Sequence, residues 1–140
     1  MATQIFVNLP IKDLGKTTAF FGHLGFTFDQ KFTNDKATCM IIGENIYAML
    51  LVEEFFKTFT SKEICDAHTT TEAIICFSAD SREKVDEMAA KAIEAGGTNP
   101  GGAQDHGWMY IRSFQDLDGH LWEVMHTDLS LLPAEMQTGN

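Results

Sequence analysis

The sequence predicts an α+β fold built from two tandem βαβββ modules that form a cupped mixed sheet. Two observations predict it. One order of elements runs through the 140 residues twice: an alternating strand, a helix that opens at an acidic cap and closes at glycine, and then a hairpin. Each βαβββ unit also leaves one sheet face uncovered, which the other half or a second chain must cover. A chain of this length makes one domain, residues 1–140, with module 1 at about residues 1–60, module 2 at about residues 70–128 and a tail at residues 129–140.

Residues 4–11 alternate, with Ile5, Val7, Leu9 and Ile11 on one face and Gln4, Phe6, Asn8 and Pro10 on the other. Asp13 can cap the following helix, whose apolar stripe is Leu14, Thr18, Phe21 and Leu24 and whose stop is Gly25. A strand begins at residues 26–28. Residues 37–42 and 46–52 read as a hairpin around Gly43, Glu44 and Asn45. Residues 53–68 carry Phe55, Phe56, Phe59 and Ile64 and suit a short helix or a structured loop.

The pattern then restarts with a strand at residues 72–78. Asp80, Ser81, Arg82 and Glu83 resemble a capping box with Asp80 as the cap. Val85, Met88, Ala89, Ala92 and Ile93 give the helical stripe, closed by Gly96 and Gly97. Residues 99–107 are a glycine-rich loop. Residues 108–114 and 121–126 form a second hairpin around Asp118 and Gly119, and Pro133 interrupts the leucine-bearing tail.

Composition narrows the function. A net charge of −10 argues against nucleic acid and anionic membranes as partners. No apolar run approaches the roughly 20 residues of a membrane span, and no signal peptide is visible. Cys39, Cys65 and Cys76 lack zinc-type or disulfide spacing and read as free thiols of a cytoplasmic protein.

Two stretches carry a family resemblance. Val7 to Leu14, followed by Phe20, Phe21, Leu24, Gly25 and Phe26, is similar to the first strand and helix of the vicinal-oxygen-chelate superfamily. Asp116-Leu117-Asp118-Gly119-His120-Leu121-Trp122-Glu123 resembles its terminal signature, with Leu117 where proline is usual and His120 where asparagine is usual. The resemblance covers residues 6–126. It implies the fold of glyoxalases, bleomycin-resistance proteins and extradiol dioxygenases, a homodimer, and a ligand cleft in which metal-using members hold a divalent ion at four strand positions.

By register those positions fall on Phe6, Ala48, Ala73 and Glu123. Glu123 alone has a ligand-type side chain, and an ion needs about three or four. The expectation is therefore a protein that binds a small organic ligand in a partly apolar cleft with no cofactor. The alternative is a metal-dependent lyase or dioxygenase using Glu123 and relocated histidines.

Glu123 and His106 are the candidates for acid–base work. His106 follows the glycine-rich loop, and histidine is the side chain type suited to acid–base work near neutral pH. Phe6, Asn8, Trp108, Arg112 and Met125 are the candidate ligand contacts. Phe6 would place an apolar wall where a metal ligand stands elsewhere. Arg112, in an apolar strand, would pair with Glu123 or Asp116 or clamp a substrate carboxylate. His23, His68, His120 and His126 read as local structural residues.

Overall fold

The alternation of residues 5–11 becomes strand β1 (Ile5–Ile11), and the acidic cap after it starts helix α1 (Leu14–His23). In this computed structural model, which describes residues 2–99 and 101–137, the Asp13 carboxylate accepts from the Lys16 amide and so satisfies a free donor of the first turn. Gly25, at φ +105°, turns the chain into β2 (Thr27–Asp29). β3 (Ala37–Gly43) and β4 (Ile46–Val52) form the expected hairpin, with Asn45 left-handed at φ 64°. A short helix α2 (Glu53–Phe56) and a 3-10 turn (Lys57–Phe59) lead into a linker.

The second module repeats this order: β5 (Ile74–Ser78), α3 (Arg82–Glu94), the two-residue β6 (Gln104–Asp105), β7 (Met109–Gln115) and β8 (Leu121–Thr127). The tail adds a 3-10 turn (Leu129–Leu131) and α4 (Ala134–Gln137). Pro100 of the glycine-rich loop and residues 138–140 of the expected tail lie outside the described residues.

The fold class stands as read, in the form of two four-stranded mixed sheets. Their orders are β1-β4-β3-β2 and β5-β8-β7-β6. In each sheet the first strand runs parallel to the last and the other pairs are antiparallel.

One hydrophobic core serves both modules. It takes Leu9, Ile11, Met40, Ala48 and Leu50 from the first sheet, Phe20, Phe21 and Leu24 from α1, Ala92 from α3, and Phe114 and Trp122 from the second sheet. Phe21 meets Trp122 edge-on at 5.3 Å, and Phe20 lies 6.3 Å from Phe114. The helices thus sit against the inner faces of both sheets, and the opposite faces look outward.

Two local expectations change. Ser81, not Asp80, caps α3, accepting from the Lys84 amide. Thr17, not Thr18, joins the buried stripe of α1, because Thr17 lies against the terminal turn and its hydroxyl reaches Asp118 at 3.4 Å.

Candidate functional site

Strand parity decides which side chains meet on the outward faces. On the first sheet Phe6 pairs with Tyr47 and Asn8 with Met49, while Leu9 and Leu50 point inward. The Phe6 and Tyr47 rings stack at 4.9 Å with 15° between planes, and Phe6 is 45% exposed. This is a flat aromatic surface open to solvent.

On the second sheet Glu123 lies between Cys76 of β5 and Ser113 of β7, and Met125 follows on the same face. The Glu123 carboxylate is half-buried and makes no hydrogen bond or ion pair among the described residues. Burial pushes the Cys76 thiol up, and the adjacent Glu123 charge pushes it further. A half-desolvated carboxylate without a partner is costly in a structure and useful in a binding site.

The cap positions correct the register of the four metal-type positions. Phe6 stands seven residues before its cap Asp13, and the residue seven before the true cap Ser81 is Ile74. Ile74 faces outward with Cys76, whereas Ala73 falls on the opposite parity. The ladder likewise makes Met49, two pairs along from Tyr47 and beside Asn8, the counterpart of Glu123 beside Cys76. Ala48 points inward and is wholly buried in the core. The four positions are Phe6, Met49, Ile74 and Glu123. Three apolar side chains and one carboxylate do not fit a divalent ion, and among the described residues no group of three or more His, Cys, Asp or Glu side chains could hold one.

The other candidates scatter. Arg112 pairs across the sheet with Val124, on the inner side, and its guanidinium binds Asp86 of α3 at 3.1 Å. It therefore partners neither Glu123 nor Asp116, and it does not reach the outward face. Tyr110 Oη donates to the same Asp86 at 2.6 Å. Trp108 lies at the far end of β7, where its carbonyl accepts from the Asp128 amide. His106 sits exposed after β6, away from Glu123 in the sheet. His126 turns to the Ala79 carbonyl at 3.0 Å, on the face opposite Glu123 as expected, and His23 pairs with Glu94.

His120 reaches much further than a turn residue. It is 4% exposed, and its Nε2 meets the Pro10 carbonyl at 2.7 Å while Nδ1 meets Glu72 Oε1 at 2.8 Å. It borders a cavity of about 420 Å³ between the end of β1, the linker and the terminal turn, whose walls include Lys12, Lys57, Cys65, His68 and Asp118. Burial lowers the His120 pKa, but the Asp116 charge, the Pro10 carbonyl and Glu72 outweigh it, so the net direction is up. Asp116 accepts from the amides of Asp118 and His120 and from the Trp122 indole. Burial pushes its carboxyl up against those donors and the His120 charge.

Tyr47, Met49, Cys76 and Ser113 are the site residues that strand reading alone missed. β4 is apolar along its whole length, so its two faces cannot be told apart by alternation.

A family model described as Glyoxalase/Bleomycin resistance protein/Dioxygenase superfamily matches residues 4–124. Similar solved structures include a hypothetical protein from S. aureus, at 25% identity and TM-score 0.77, covering 90% of this chain and 94% of that one. A glyoxalase/bleomycin resistance protein/dioxygenase family enzyme from Burkholderia phytofirmans PsJN matches at 17% identity and TM-score 0.77, over 91% of this chain and 100% of that one. A genomically encoded fosfomycin resistance protein from Listeria monocytogenes matches at 22% identity and TM-score 0.65, over 92% and 94%. No curated protein matches the sequence.

Proposed function

Since this chain belongs to the Glyoxalase/Bleomycin resistance protein/Dioxygenase superfamily, we propose that it binds a small organic ligand in a partly apolar cleft, without the divalent ion used by many members. The observation that carries this reading is the pairing of an unpartnered Glu123 with apolar residues at the other three metal-type positions. An ion there would have one carboxylate and no second strong donor. A ligand with a flat apolar part and a cationic or hydrogen-bonding group would have the Phe6–Tyr47 surface for the first and Glu123 for the second. The acidic net charge favours a cationic group in the same direction.

A homodimer is part of the proposal. The two outward faces of one chain point away from each other, because the inner faces share a core. A cleft with both walls therefore needs the first sheet of one protomer and the second sheet of its partner. Ile5, Phe6, Ile46 and Ile74 are exposed at these faces and their rims, and β1 and β5 are edge strands. A second chain would cover both features. Among the described residues no helix is long and apolar enough to cross a membrane. The free cysteines are the support for the further proposal of a cytoplasmic protein.

The test combines metal analysis with ligand screening. Gently purified protein should carry no stoichiometric Zn, Ni, Mn or Fe and should melt at the same temperature with and without chelator. A panel of small aromatic cations and neutral aromatics should raise the melting temperature of the native protein and not of Glu123→Gln or Phe6→Ala. Stoichiometric metal lost together with Glu123 would overturn the reading in favour of a metal-dependent lyase or dioxygenase.

A further inference from the structure

We propose that His120 is a proton-dependent latch: a buried imidazolium that clamps the linker onto the end of β1 and releases it, opening the adjoining cavity, when the proton leaves. The geometry assigns the charge. A backbone carbonyl can only accept, so the Nε2 that meets Pro10 carries hydrogen. Glu72, one-third exposed, is a carboxylate and also only accepts, so Nδ1 carries hydrogen as well. An imidazole that donates from both nitrogens is cationic.

The clamp joins three segments distant in sequence: the end of β1, the start of β5 and the β7–β8 turn, with separations of 110 and 48 residues. Cys65 Sγ meets Thr70 Oγ1 at 2.7 Å and lies 3.7 Å from Glu72 Oε2, so the linker passes close to the same point. The turn presses on the linker beside the clamp. Gly119 sits at φ +86°, and a Cβ there would stand 2.7 Å from the His68 amide and 2.8 Å from the Ala67 carbonyl carbon. The linker is thus held at two points, one steric and one charged.

The charged groups around His120 come from each packed segment. Asp116 and Asp118 belong to its own turn, Glu72 lies before β5, Lys12 follows β1, and Asp66 and His68 line the cavity from the linker. The nearest of them, Asp116 and Glu72, are anionic and stabilise the cation. Removing the proton leaves Glu72 and Pro10 sharing one donor, and one of them loses its bond. The folded pKa lies above the ordinary value of about 6.5, so the clamp's stabilisation is complete below that value and is lost as pH rises through the folded pKa.

The latch can be tested independently of any ligand. Long-range proton–nitrogen spectra of the histidine rings report the charge of His120 directly. Trypsin cleavage after Lys57 and Lys62, normalised to a peptide substrate at each pH, reports linker opening. Cleavage should step up through the folded pKa of His120, by about tenfold for each unit by which it exceeds the unfolded value. His120→Asn should cleave fast with no step. Glu72→Gln, which keeps the shape and removes the charge, should move the step to lower pH, and it decides the matter if His120→Asn does not fold. A neutral His120 ring at pH 6, a step that persists in His120→Asn, or a step unmoved in Glu72→Gln overturns the proposal.

Discussion

The two modules share a topology and a strand register, yet their outward faces differ in chemistry. The first offers Phe6, Tyr47 and Met49; the second offers Cys76, Ser113 and Glu123. Their inward faces are alike: Leu9, Ala48 and Leu50 on one side, and Ile75, Phe77, Val124 and Trp122 on the other, all apolar. Where they meet in the core the inward faces are held to apolar, close-packed residues, while Arg112 and His126 lie on the same side of the second sheet beyond it, bound to Asp86 and to the Ala79 carbonyl. Around Phe6 and Glu123 the outward faces carry no such demand, and one presents an aromatic surface and the other a lone carboxylate.

Three experiments can break or sharpen this comparison. Trp122→Ala empties the centre of the shared core and strands Asp116 without its indole donor, and should cost about 3–5 kcal/mol in urea unfolding. The outward Phe6→Ala should cost less than about 1 kcal/mol under the same conditions. Similar losses in the two would mean that inward and outward faces are not energetically distinct.

Next in size is a designed gain. The triple substitution Phe6→His, Met49→Glu and Ile74→His gives all four metal-type positions a donor. The protein should then take up Zn or Ni stoichiometrically and gain about 2.7 kcal/mol of stability at a hundredfold excess over Kd. A triple variant that binds no metal would show that the two faces do not meet across the proposed dimer.

The smallest effect is that of Glu123→Gln. It should change stability by no more than about 0.5 kcal/mol, since no protein partner is lost. It should also lower the Cys76 thiol pKa toward its ordinary value and raise the alkylation rate near neutral pH by roughly twofold. An unchanged rate would place Glu123 away from Cys76.

Much of this was legible in sequence. The alternation of β1 fixed Phe6 as outward, and Asp13 fixed the start of α1. The second cap was misread because Asp80 and Ser81 are adjacent and both able, and the backbone leaving β5 chooses between them. That single residue shifted Ala73 into the place of Ile74, since one step along a strand changes its face. The Arg112 partner was misassigned because Asp86 lies 26 residues earlier, on a helix whose approach to the sheet no local pattern states. Three apolar positions and one carboxylate survive the correction, so the functional reading does too.

The sequence by itself determined the duplicated βαβββ order, the turns that need glycine, and a carboxylate standing in an apolar strand. These are local properties of propensity, capping and period. Only the tertiary structure decided that Glu123 has no hydrogen-bond or ion-pair partner among the described residues while Arg112 has one, that His120 spans three segments, and that the aromatic and acidic faces of one chain look away from each other. Those facts depend on which side chains arrive together across dozens of residues, and on the burial that packing imposes on them.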